Sequence, residues 1–332
     1  MPDAFHQKTR YDAILIGAGP TGIAAAYEFK NAGIKYLHLE SGRLAQTIFN
    51  YPKNVHLFSH RCYLQIGNVH FPGKPHEAPA REEYLDYLGK VVSQQGLKVQ
   101  LHSAVVELVP GNLNHCVRYR KKDGTITEVY SQNVIFAGGG YYKPRLLGIP
   151  GEDMPHVHHY FRTDLPVKNK KVLVVGGRNS AIEASTTLAG QKAEVLLSYR
   201  GSRLPRSKIK PWILTPFDEA RKSGFIRIHY RTFLRSIKKK QVILRLDETE
   251  DIAIDTDVIF LLTGYGPDYS LLKTASVPFH KRTQRPLFNS KTLETKIPGI
   301  FLCGTLILTW KGKKASIENT LEHGKIILSN LR

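Results

Sequence analysis

Chemistry in this sequence starts at a run of glycines, Gly17-Ala18-Gly19-Pro20-Thr21-Gly22, between the apolar segment Tyr11-Asp12-Ala13-Ile14-Leu15-Ile16 and the small-residue stretch Ile23-Ala24-Ala25-Ala26. The order reads as strand, turn, helix. Gly17 permits the tight turn, Gly19 lets backbone approach a pyrophosphate, and Gly22 lets the helix sit close against the strand. The N-terminus of that helix then faces the phosphates with its partial positive charge. A second strand, Lys35-Tyr36-Leu37-His38-Leu39-Glu40, ends in a carboxylate 18 residues after Gly22, placed to accept both ribose hydroxyls. A lone glycine motif is weak evidence, and a glycine-rich turn in an unrelated α/β domain is the plainer alternative. Strand, glycines, helix, strand and acid in this order favour an FAD-binding βαβ unit over residues 14–40, with Gly17, Gly19, Pro20, Thr21, Gly22 and Glu40 as contacts.

The pattern recurs. Lys171-Val172-Leu173-Val174-Val175 runs into Gly176-Gly177-Arg178-Asn179-Ser180-Ala181 and a helix beginning Ile182-Glu183-Ala184, and a second strand follows at Ala193 to Ser198. The same 18-residue count from Ala181 lands on Tyr199, beside Arg200, and no carboxylate stands there. Arg200, helped by Arg203 or Arg206, suits a 2′-phosphate and so favours NADPH over NADH. A solvated basic turn is the competing reading. Arg178 takes the place of the middle glycine, where its side chain either hinders the pyrophosphate or adds a phosphate contact. Gly176, Gly177, Arg178, Asn179, Ser180, Tyr199, Arg200 and Arg203 form the expected NADPH set.

Two strand-plus-glycine segments, Asn133 to Tyr142 and Asp257 to Pro267, read as the crossings between an outer and an inserted domain. The expected fold class is therefore α/β, with two Rossmann-like dinucleotide-binding domains, the NADPH domain inserted into the FAD domain. Residues 1–143 and 264–332 make the FAD domain and residues 144–263 the NADPH domain. The segment Thr295 to Thr305 returns as a strand to complete the first, Arg81 to Val92 reads as a helix, and Gln241 to Ala253 as a hairpin with an acidic turn. A length of 332 residues, 42% hydrophobic, suffices for two cores.

Charge and cysteine usage narrow the class. With 48 Lys and Arg against 28 Asp and Glu, the net charge of +20 attracts anions. The basic residues are dispersed and no nucleic-acid module interleaves them with aromatics, so specific nucleic-acid binding is not expected. The start, MPDAFHQKTR, lacks an apolar signal region and no apolar stretch approaches a bilayer span, so a cytoplasmic protein without a membrane role is expected. Cys62, Cys116 and Cys303 are far apart and make neither a CxxC nor a metal-ligand spacing. The cluster His156-Val157-His158-His159 has no distant ligand of recognisable spacing, and no metal site is expected.

Further segments carry a resemblance over nearly the whole chain: Thr47 to Pro52, Gln65-Ile66-Gly67, Ile149 to Asp153, His159-Tyr160-Phe161, Thr263-Gly264-Tyr265, Ile317-Glu318-Asn319, His323-Gly324 and above all Lys210-Pro211-Trp212-Ile213-Leu214. Together with the double fingerprint, the chain resembles the thioredoxin-reductase-like flavoproteins, and among them the bacillithiol-disulfide reductase family of the YpdA type. The resemblance implies FAD, NADPH, reduction of a low-molecular-weight thiol disulfide, and a homodimer. It adds Gln46, Asn50, Gly304 and Thr305 to the FAD contacts. It also implies that the glycine crossings act as hinges, if the domains rotate as in thioredoxin reductases.

Three positions depart from the pattern. Thr21 stands where family members typically carry a cysteine, the region before the second fingerprint has no CxxC, and Thr305 stands where many relatives outside this branch place an aspartate on the ribityl chain. A disulfide substrate then takes electrons directly from flavin, or Cys62 serves as the thiol, against the plainer reading of an inert cysteine. His323 is a candidate proton donor, with helix packing as the alternative. The expected function is an NADPH-dependent flavoprotein reducing a small-molecule disulfide. The alternatives are electron transfer to an acidic carrier such as ferredoxin or flavodoxin, which the basic surface suits, and a flavin monooxygenase, whose usual Phe-x-Gly-x-x-x-His segment is absent.

Overall fold

The computed structural model describes residues 9–247, 249–308 and 316–332; the N-terminal eight residues, on which the reading of the chain start mainly rests, lie outside it. The chain divides into two compact units, residues 1–142 with 267–332, and residues 143–266. The crossings fall one residue before and three residues after the expected boundaries at 143 and 263.

In the first unit, β1 (Arg10–Ile16) leads through the glycine turn into α1 (Pro20–Asn31) and β2 (Tyr36–Leu39). Ala13 to Ile16 are buried without a break, because this part of the sheet is covered on both faces. Pro20 at the first helical position lacks only an N–H that no helix uses, and Gly33 with φ +72° ends the chain's helical path. After α2 (Gln46–Phe49), the helix α3 (Arg81–Gln94) opens where Glu83 Oε2 accepts the Ala80 N–H at 2.6 Å. Strands β3 (Ala104–Val109), β4 (His115–Arg120) and β5 (Ile126–Phe136) form an antiparallel meander, and β5 then pairs parallel with β1. The eleven-residue β5 alternates in burial along its antiparallel half and is wholly buried at Asn133 to Phe136 where it meets β1.

The second unit begins with the short β6 (Lys143–Pro144) and β7 (Val157–His158). Its centre is β8 (Lys171–Val175), α4 (Asn179–Gly190) and β9 (Glu194–Tyr199), followed by α5 (Pro211–Lys222) and β10 (Ile226–Tyr230). A meander β11 (Thr232–Ile237), β12 (Gln241–Leu246) and β13 (Glu250–Asp255) precedes β14 (Val258–Leu261) and β15 (Tyr265–Gly266). The parallel sheet has the order β10-β9-β8-β14-β7. The meander lays Leu234, Ile237, Val242 and Leu244 on one face of it, against Leu173, Ile259 and Leu261. The expected hairpin is thus two strands of three.

The chain returns to the first unit through α6 (Ser270–Thr274), β16 (Ile300–Leu302), α7 (Thr305–Leu308) and α8 (His323–Leu328). β16 pairs parallel with β5, and α8 packs on α1 so closely that a Cβ on Gly324 would lie 2.6 Å from Ala25 Cα. No helix among the described residues is long and apolar enough to cross a membrane.

Candidate active site

In the first unit the chain turns away at the C-terminal ends of four mutually parallel strands, β2, β1, β5 and β16, where open α/β sheets hold their ligands. Gly17 has φ +103°, and a Cβ there would lie 2.7 Å from the Ala137 carbonyl oxygen. Gly22 is tighter still: its Cβ would lie 2.0 Å from the Gly17 oxygen. Around Gly19, by contrast, no described atom stands within 4 Å of a Cβ position, so the turn is open on that side. Since Pro20 has no N–H and no side chain caps α1, the first-turn donors left facing the opening are those of Thr21 and Gly22.

Glu40, 7% exposed, closes the turn from β2. One carboxylate oxygen accepts the Ala18 N–H at 2.7 Å, and the other accepts the Gly42 N–H at 2.8 Å and the Ser41 hydroxyl at 3.2 Å. The first oxygen keeps a lone pair for a ribose hydroxyl. Gln46 accepts the Arg43 N–H at 3.0 Å and donates to Asn50 Oδ1 at 2.8 Å, which folds the loop after Glu40 over the same edge. An open glycine, a helix N-terminus and a buried carboxylate in this arrangement fit the pyrophosphate and ribose of a dinucleotide such as FAD.

Thr21, Gly304, Thr305 and His323 converge on this edge. Thr320 donates to the Ile317 carbonyl at 2.7 Å, so the Thr21 hydroxyl donates to Thr320 Oγ1 at 2.6 Å. A Cβ on Gly304 would lie 3.3 Å from Thr21 Oγ1. The Gly304 N–H donates to His323 Nδ1 at 3.1 Å, which fixes the neutral ring as its Nε2–H tautomer. Burial lowers the His323 pKa to about 4, so near neutral pH it is an acceptor that holds the Gly304 turn. Thr305 Oγ1 accepts the Gly140 N–H at 2.9 Å and keeps its own proton to donate. His38, which the sequence did not single out, sits beneath the glycine turn: its Nε2–H donates to the Gly17 carbonyl at 3.0 Å, and burial lowers its pKa to about 4. Its spacing of two from Glu40, the residue that directly follows β2, was the available signal, since i and i+2 share a strand face. Nothing in the sequence marked Thr320.

The cysteines lie apart from one another in the fold. Cys62 is half-buried on a short 3₁₀ turn, its Sγ 3.9 Å from His76 Nδ1. Cys303 is buried at the end of β16, and desolvation pushes its thiol up to about 12. Cys116 is half-buried on β4 and raised by burial and by Glu128.

In the second unit, Gly176 has φ +145°, and its Cβ would lie 2.6 Å from the Leu262 oxygen. Gly177 is needed for a different reason. The Tyr199 ring fills the place of its side chain, at 2.3 Å, and also crowds Gly201, at 2.7 Å. Arg178 caps α4 in extended backbone, φ −118° and ψ −172°, a conformation any residue adopts, and its side chain is exposed. Asn179 Oδ1 accepts the Lys210 N–H at 3.0 Å, Ser180 is exposed, and Arg200 and Arg203 are exposed without an ion pair among the described residues. Arg206 does not join them, because it forms a two-pronged pair with Asp218 at 3.1 and 2.6 Å. The His156 to His159 segment runs along β7, and no group of three metal-binding side chains occurs among the described residues.

Residues 14–304 match the family model described as pyridine nucleotide-disulphide oxidoreductase. The chain is 36% identical over 319 residues to bacilliredoxin reductase Bdr of Bacillus subtilis, covering 96% of this chain and 97% of that one. The solved structure of bacillithiol disulfide reductase Bdr (YpdA) from Bacillus cereus superposes with TM-score 0.90 at 31% identity, over 97% and 99% of the two chains. Thioredoxin reductase of T. acidophilum shares the fold, with TM-score 0.73 at 17% identity and 98% coverage of both chains. The chain therefore belongs to the pyridine nucleotide-disulphide oxidoreductase family and is a thioredoxin-reductase-like oxidoreductase dependent on FAD and NAD(P)H.

Proposed function

We propose that this enzyme is an NADPH-dependent reductase of a low-molecular-weight thiol disulfide of the bacillithiol type, with FAD in the first unit and NADPH in the second. The carrying observation is the pair of glycine turns at the C-terminal ends of parallel strands, one closed by Glu40 and the other in a unit with exposed Arg200 and Arg203, in a chain 36% identical over nearly its full length to bacilliredoxin reductase Bdr. FAD, when bound, supplies the two-electron chemistry, and the balance is NADPH, a proton and RSSR giving NADP⁺ and two RSH. Gly17, Gly19, Thr21, Gly22 and Glu40 hold its pyrophosphate and ribose, with Gln46, Asn50, Gly304 and Thr305 along the same edge. Arg200 and Arg203 take the 2′-phosphate, and a cytoplasmic homodimer is part of the reading. Because Thr21 carries no thiol, the Cys303 thiol is buried with a raised pKa and no CxxC supplies Cys62 with a resolving partner, we assign no protein thiol to the relay.

Anaerobic stopped-flow mixing tests this reading. NADPH should bleach the flavin, and bacillithiol disulfide should restore its colour faster than oxygen does. Rapid reoxidation by ferredoxin but by no small disulfide would replace the acceptor. That alternative has support in a 25% identity over 302 residues to the ferredoxin–NADP reductase of Ignicoccus hospitalis and in the +20 charge. Cys62→Ser should keep reoxidation by the disulfide within about threefold, whereas thiols in a relay act through their reactive thiolate and their loss stops turnover. Arg200→Ala should weaken NADPH on the order of tenfold, as loss of a charge-assisted contact does, and leave bound FAD in place; unchanged NADPH affinity would refute that assignment.

A further inference from the structure

The Lys210-Pro211-Trp212-Ile213-Leu214 segment has a place in the fold that packing alone does not explain. It opens α5, with Pro211 at the first helical position, and Ile213 and Phe217 supply the face that packs into the core of the second unit. Trp212 points elsewhere and is 58% exposed, unusual for the residue type with the largest apolar surface to hide. The Lys210 ammonium lies 5.2 Å from its ring centroid. The entry to this helix is fastened to the second glycine turn, since the Lys210 N–H donates to Asn179 Oδ1 in the first turn of α4 at 3.0 Å. Trp212 is two Cα steps further on, at most about 7.6 Å, and helical side chains lean toward the N-terminal end, here toward that tether. Arg178, Arg200, Arg203 and Lys208 are exposed at the same strand ends and loops.

We infer that Trp212 is the aromatic platform on which the adenine base of NADP(H) stacks at the second glycine turn, its position set by the Asn179 tether. The inference rests on the assignment of NADPH to the second unit. A dinucleotide whose phosphates meet the α4 N-terminus and whose 2′-phosphate meets Arg200 and Arg203 needs a surface for its base. The Tyr199 ring already packs against Gly177 and Gly201, and the indole, 58% exposed and two residues from the Lys210 tether to the α4 N-terminus, offers a flat apolar surface for that base.

The test uses FAD-loaded protein and 2′,5′-ADP, the adenosine half of NADP⁺. The chain's other tryptophan, Trp310, is replaced in a Trp310→Phe background so that emission reports Trp212. Saturating 2′,5′-ADP should quench that emission, with a midpoint equal to the Kd from calorimetry. Trp212→Ala should weaken both 2′,5′-ADP and NADP⁺ on the order of tenfold, with FAD content unchanged, and Trp212→Phe should restore most of the affinity. Full affinity in Trp212→Ala, or emission indifferent to saturating 2′,5′-ADP, overturns the stacking. If the unsubstituted protein binds neither 2′,5′-ADP nor NADP⁺ in the calorimeter, the nucleotide assignment itself has failed.

Discussion

Gly22→Ala should purify with little or no bound flavin and with its thermal midpoint lowered. The added methyl would lie 2.0 Å from the Gly17 carbonyl oxygen, 3.1 Å from its carbon and 3.3 Å from His38 Nε2. Two of these are backbone atoms of the turn itself, so no side-chain rotation relieves the contact. Relief requires α1 to move off β1, and Ile23, Ala24, Ala25 and Ala26 are all buried against that move. Overpacking of this kind costs about 3 kcal/mol, which in a unit of this size lowers Tm by roughly 6–12 °C. The shift also carries the Thr21 and Gly22 donors away from the phosphates. Gly19→Ala is the contrasting case: its methyl meets nothing in the protein, so the flavin-free chain keeps its Tm while flavin binding falls. Full flavin content in Gly22→Ala, or equal destabilisation by both substitutions, would contradict this account of the turn.

Acid should unfold the enzyme earlier than its carboxylates alone predict. His38 and His323 both have pKa values lowered to about 4 by burial, and the unfolded chain protonates its histidines near 6.5. Between about pH 6.5 and 4 the unfolded state therefore binds protons that the folded state refuses. Stability is level above that window and falls as pH drops through it, by on the order of 3 kcal/mol for each histidine at full extent. The two differ in what protonation does locally. A proton on His38 enters at Nδ1, a buried atom with no partner, and leaves the bond to Gly17 intact. A proton on His323 enters at the nitrogen that accepts the Gly304 N–H and sets two donors against each other. Urea midpoints at pH 7 and pH 5 measure the slope, and His323→Gln should remove its share while His38→Gln removes the other. A midpoint that does not move between these pH values would show that neither ring is held neutral by the fold.

Both glycine turns were legible because their chemistry is local: strand, turn and helix follow one another in sequence, and the 18-residue step to Glu40 is set by the length of one helix and one strand. The helix expected at Arg81 to Val92 ends two residues later, at Gln94, and the return of the chain at Thr295 to Thr305 contains β16. What could not be read depends on contacts across the chain. Thr21 meets Thr320 over 299 positions, and Gly140 meets Thr305 over 165. Neither pairing leaves a periodic trace. Gly177 was placed in the NADPH set by its position in a motif, and its missing side chain is also the room the Tyr199 ring occupies, which no motif announces. Arg206 was grouped with Arg200 by proximity in sequence, and Asp218, on the neighbouring α5, took it instead.

The insertion of one unit within the other also orders events on the ribosome. Residues 143–266 emerge as one uninterrupted stretch and close their own sheet with β14. The first unit at that moment has β1 to β5 but lacks β16, which pairs with β5, and α8, whose Gly324 is seated on Ala25. Its nucleotide edge is equally incomplete, because Gly304, Thr305, Thr320 and His323 are still to be made. The nascent chain thus holds every strand of the second unit while the first still waits for its last strand, so the edge that carries the first glycine turn is completed late in synthesis.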